Sequence, residues 1–84
     1  MSVYISDGKK LLNVEYDDIP QINDTVDSRR VISKSERDDE YALFLLDLNG
    51  SICCYVLNEI YILGKADGFD NLIEATEAWE DEEI

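Results

Sequence analysis

The chain contains no histidine, one proline and seven basic residues against twenty acidic ones. Without histidine, the commonest general base and transition-metal ligand is missing, and Ser-His or Cys-His nucleophiles are excluded. The two cysteines, Cys53 and Cys54, are adjacent, so neither a CxxC motif nor zinc-ligand spacing exists. No apolar run reaches the roughly 18 residues of a membrane span. The N-terminal MSVYISDGKK has no basic segment followed by an apolar one, so no signal peptide is expected and the cytoplasm is the default compartment. The four glycines, Gly8, Gly50, Gly64 and Gly68, read as turn or boundary residues and form no phosphate-cradling loop. The run Asp47-Leu48-Asn49-Gly50-Ser51 superficially resembles a calcium loop, but its glycine falls two positions too early for an EF-hand. These absences lead to the expectation of a non-enzymatic protein with no cofactor and no metal.

What is present is a single short domain, residues 1–84, with an ordinary hydrophobic fraction of 45%. Its centre reads YALFLLDLNGSICCYVLNEIYILGK from Tyr41 to Lys65. Apolar runs flanking Asn49-Gly50 predict a hairpin with a type I′ turn, and strands are expected at 41–48, 51–57 and 60–63. Both alternating side-chain sets of the first two strands are apolar, so each strand needs cover on both faces. Cys53 and Cys54 should then point to opposite faces as buried, reduced thiols.

Upstream, residues 2–16 predict a hairpin turning at Asp7-Gly8, with Leu12, Val14 and Tyr16 on one face of the return strand. Residues 17–28 carry Pro20 and read as an ordered crossing loop with Ile19, Ile22 and Val26 tucked against the core. Residues 29–36 read as a short, charged edge strand.

Downstream, Phe69, Leu72, Ile73, Thr76 and Trp79 share one helical stripe, which predicts an amphipathic helix over 69–80 capped by Asp67 or Asp70 and anchored by Trp79. The expected fold is mainly β: a small antiparallel curled sheet or SH3-like barrel of five to six strands with one C-terminal helix. The alternative is an open α+β sheet with the helix on one face.

The net charge is −13, and no base follows Lys65. Asp70, Glu74, Glu77 and Asp81 step by three or four residues and form an acidic face opposite the apolar stripe. Glu82 and Glu83 extend it, although carboxylates at a helix C-terminus oppose the helix dipole. Residues 81–84 read either as a frayed acidic tail or as part of a binding surface. Asp38, Asp39 and Glu40 supply a second acidic group, and Asp17, Asp18, Asp24 and Asp27 are candidate extensions.

This balance disfavours direct binding to nucleic acid or anionic membrane and favours a basic protein partner. The composition resembles that of small, very acidic inhibitor proteins of phages and mobile elements, a likeness of class alone. The expected function is an inhibitor or modulator of a basic nucleic-acid-handling protein by DNA-like charge mimicry. The alternatives are an immunity-type protein that neutralises a basic toxin or nuclease, and a structural homodimer joined through strand 29–36.

Overall fold

The computed structural model describes residues 2–84 and separates the doubly apolar centre of the chain into two cores. Strands β1 (Val3–Asp7), β2 (Lys10–Asn13), β3 (Thr25–Val26), β4 (Arg29–Arg37), β5 (Glu40–Leu46), β6 (Ile52–Asn58) and β7 (Tyr61–Phe69) precede helix α1 (Leu72–Glu80). They close into a barrel in the order β1-β2-β7-β6-β5-β4-β3. All pairings are antiparallel except β1 with β3, which closes the ring through Val3↔Thr25 and Tyr4↔Val26. The mainly β fold with one C-terminal helix matches the sequence expectation; the extra strand is the two-residue β3, too short to leave a periodic signal.

Alternation along β5 and β6 sends Leu43, Leu45, Cys53, Tyr55 and Leu57 into the barrel, together with Tyr4 and Leu11. The other set, Ala42, Phe44, Cys54 and Val56, faces outward and is covered by Ala75 and Trp79 of α1. The helix is therefore the lid that the outer face required, and the two cysteines lie in separate cores as buried thiols. The Trp79 ring stands edge-on to Phe44, with centroids 6.5 Å apart and planes at 81°.

The β5–β6 hairpin does not use a type I′ turn, because Gly50 has a positive φ (84°) and Asn49 does not. Asp47 instead begins a four-residue turn: Gly50 N–H donates to the Asp47 carbonyl (3.1 Å) and Asn49 N–H to the Asp47 carboxylate (2.6 Å). In the first hairpin Asp7 pairs with Lys10, so Gly8-Lys9 is the turn. Leu11 enters the core, while Leu12 and Val14 face outward and Tyr16 is likewise exposed. A shift of one residue in turn position moves every return-strand side chain to the other face. In the crossing loop Pro20 and Val26 are buried, whereas Ile22 is exposed.

The expected edge strand is enclosed at its start. Arg29 and Arg30 pair with β3 on one side, and β4 pairs with β5 along its length. Further along β4, Ser33–Arg37 pairs, among the described residues, with β5 alone. Val31 is fully buried and Ile32 packs beside the helix-side core. No helix among the described residues is long and apolar enough to cross a membrane.

Candidate functional site

The acidic helix face begins where β7 ends. Phe69 still pairs with Ile52, so the helix starts later than its apolar stripe implied. Asn71, not Asp67 or Asp70, is the N-cap: its side chain accepts from Glu74 N–H at 2.9 Å. The Glu74 carboxylate reaches back to Asp70 N–H at 3.3 Å, close to a capping box. Glu74 thus has a structural role at the helix start, where its charge also suits the dipole.

The buried face is rotated from the expected stripe. Ala75, Ala78 and Trp79 are buried, Leu72 and Thr76 half-buried, and Ile73 is 71% exposed. The alanines let the helix backbone approach the sheet, which a reading based on large side chains underweights. Ile73 therefore stands among the carboxylates, three residues after Asp70 and four before Glu77. Asp70, Glu74, Glu77 and Asp81 are all exposed, as the charge pattern required.

The helix ends in a tight reversal. Asp81 is the C-cap, Glu82 N–H donates to Trp79 O (3.1 Å) and Glu83 N–H to Ala78 O (2.9 Å). This is the paired bonding of a Schellman motif, whose C′ position takes left-handed backbone and is usually glycine. Here that position is Glu82, at φ 58°. Beyond it Ile84 packs on the helix-side core, 3.7 Å from where a Cβ on Gly64 would lie.

No base lies in the last turn of the helix; the cation comes from β4 instead. Arg37 Nη1 donates to the carbonyls of Trp79 and Glu80 at 3.3 Å each, and its guanidinium sits 4.6 Å from the Trp79 ring centroid. This contact spans more than forty residues and leaves no local sequence signal. It offsets part of the unfavourable charge at the helix end. It also docks the β4–β5 turn against the helix C-terminus, bringing Asp38 and Asp39 to the same end as Asp81, Glu82 and Glu83. Asp38 and Asp39 are exposed, Asp38 with φ 52°, while Glu40 is half-buried at the start of β5.

The other candidate carboxylates do different work. Asp18 accepts from Tyr4 Oη (2.9 Å) and Asn13 Nδ2 (2.8 Å). Asp24 accepts from the backbone of Ser2 (3.3 Å) and Gln21 (2.7 Å), and Asp27 from Ser6 N–H (2.7 Å) and Tyr55 Oη (2.9 Å). These three tie the crossing loop to the barrel and do not join the helix surface; Asp17 is exposed in the same loop. Among the described residues the sole ion pair is Arg29–Asp47 at 4.0 Å, so the helix-face and turn carboxylates have no ion-pair partner there.

A second feature is a cavity of about 670 Å³ at the barrel mouth, where β2 and β7 share only the pair Lys10↔Tyr61. Ser6, Asp27, Arg29, Tyr55, Lys65 and Asp67 line it. Its polar groups are largely committed to one another. Lys65 Nζ donates to Ser6 Oγ (2.9 Å) and lies 4.9 Å from the Tyr55 ring centroid, and Arg29 Nη1 donates to Tyr55 Oη (3.3 Å). Burial, then the bond to Asp27, pushes the Tyr55 hydroxyl up to about 12. Burial also raises the Cys53 thiol, only partly countered by Arg29, so no thiolate is poised there. No cluster of three or more metal-ligating side chains occurs among the described residues.

Comparison with protein-family models, with curated proteins and with solved structures finds no match.

Proposed function

We propose that this chain is an interaction protein that engages a basic, nucleic-acid-handling protein through the carboxylates on the outer face of α1, its C-terminal reversal and the β4–β5 turn. The observation that carries the reading is Glu82. It is exposed, it occupies a left-handed position that favours glycine, and it sits where a negative charge opposes the helix dipole. Backbone and electrostatics both disfavour the residue, so stability does not account for it. Glu77, Asp81 and Glu83 add exposed charge without a hydrogen-bonding or ion-pairing side-chain partner among the described residues. A surface of this kind presents to lysines and arginines the charge they otherwise find on a phosphate backbone, and it competes with DNA for them. An inhibitor of the phage or mobile-element type acts in this way.

The test reverses charges that carry no structural bond. Glu77→Lys, Asp81→Lys and Asp39→Lys together spare the Glu74 contact at the helix start. Basic proteins captured by the native chain from a bacterial lysate should be displaced by duplex DNA and lost by the triple variant, with its far-ultraviolet spectrum unchanged. Retention of the same proteins by a folded triple variant contradicts the proposal.

A further inference from the structure

Among the described residues nothing covers the outer face of the β1–β2 hairpin. Tyr4 and Leu11 point into the barrel, so their neighbours Val3, Ile5, Leu12 and Val14 point away from it. Ile5 lies directly across from Leu12, and Val14 N–H bonds to Val3 O at 3.2 Å, so these four form two stacked cross-strand pairs. Asp7↔Lys10 follows as the third pair, Tyr61 lies beside Lys10, and Leu63 is two residues further along β7. The six apolar side chains are 38–68% exposed. Their combined exposure is on the order of the 300–600 Å² that a typical monomer leaves as its largest apolar patch.

The charge distribution indicates the occupant. Leaving out Lys65, which turns to the barrel-mouth cavity, residues 2–14 and 61–64 hold two of the seven bases and one of the twenty acids, a net +1, so the remainder of the chain carries −14. Glu15 and Glu59 stand only at the border of this region. Two copies of so acidic a protein can approach closely only by a face that carries almost none of the acid, and this face is also the apolar one. A two-fold contact is self-complementary here, with Asp7 of each copy able to meet Lys10 of the other across the apolar pairs. We infer that the outer face of β1–β2–β7 is a homodimer interface, distinct from strand 29–36 and from the acidic surface. The patch falls short of the roughly 800 Å² per partner of a standard interface, so the dimer is a weak one.

Salt separates this inference from the proposed function, because screening removes the repulsion between copies while it weakens binding to a cationic partner. Sedimentation equilibrium on the full chain, from about 10 µM to about 1 mM, should show a monomer–dimer equilibrium. Its dissociation constant should fall at least about tenfold between about 0.05 M and about 0.5 M NaCl. Ile5→Thr with Leu12→Thr keeps strand propensity and should abolish the dimer at both salts. The Glu77→Lys, Asp81→Lys, Asp39→Lys variant should dimerise more tightly at low salt, since it lowers the charge on each copy. A monomer throughout the range at high salt overturns the inference, as does a dimer that survives the double threonine substitution.

Discussion

Replacing Glu82 by glycine should stabilise the protein. The residue holds φ 58° at the position just after the helix C-cap. An L-residue in left-handed backbone costs about 1–2 kcal/mol, and a carboxylate in the last turn of an exposed helix a further 0.3–1 kcal/mol or so. Glycine removes both penalties but gains about 0.5–1 kcal/mol of unfolded-state entropy, leaving a net stabilisation near 1 kcal/mol. For a domain of this size the urea dependence is about 1 kcal/mol per molar, so the midpoint should rise by about 1 M. Trp79, buried beneath the adjoining turn, supplies the fluorescence signal. Glu82→Gln separates the two contributions, because it removes the charge and keeps the backbone strain, and its gain should be confined to the charge contribution of about 0.3–1 kcal/mol. If Glu82→Gly leaves the midpoint unchanged or lowers it, the residue is not disfavoured by the fold, and the argument that its charge serves a partner loses its basis.

Other consequences follow from the same contacts. Arg37→Ala removes two hydrogen bonds to the helix end and a cation–π contact, and should cost about 2 kcal/mol by urea titration. Arg37→Lys should recover only part of that, since an ammonium does not reproduce the guanidinium fork. Trp79→Ala should cost about 3–5 kcal/mol, much of the stability of a domain this small, and should release the helix from the sheet, seen as increased amide exchange in α1. At high pH, Tyr41, Tyr55 and Cys54 hold their protons up to about 12, each chiefly through burial, against ordinary values of 10.0, 10.0 and 9.0. Groups raised in the folded state stabilise it below their unfolded values and lose that contribution as pH climbs toward the folded ones. Stability should therefore fall between about pH 9 and pH 12, with Tyr41 and Tyr55 ionising together with unfolding; either of these two ionising near pH 10 in an intact fold, followed by site-resolved NMR, would refute their burial as the cause.

The central architecture was legible because Leu43, Phe44, Leu45, Cys53 and Cys54 make adjacent positions apolar on strands too short to be anything but doubly covered. That pattern demanded an inside and a lid, and Trp79 at the end of an amphipathic stretch identified the lid. Phase and boundaries were less accessible. Leu11 and Leu12 are equivalent by composition, and only the turn at Gly8-Lys9 decides which enters the core. Asn71 outcompetes the neighbouring aspartates as cap because β7 runs on through Phe69, a tertiary pairing. The alanines of α1 set its buried face by close approach, so Ile73, the more hydrophobic residue, faces outward. At the candidate site, the exposed positions of Asp70, Glu74, Glu77 and Asp81 followed from helical spacing alone. The role of Arg37, the left-handed backbone at Glu82, and the internal use of Asp18, Asp24 and Asp27 depend on long-range geometry that no local pattern records.

The most direct test of the charge-recognition account is a salt titration of affinity for a captured basic partner, measured by calorimetry with the native chain. Binding through exposed carboxylates predicts a steep linear fall of log affinity with log salt, with a slope of several, made shallower by Glu77→Lys. An affinity that stays level across that range would contradict it.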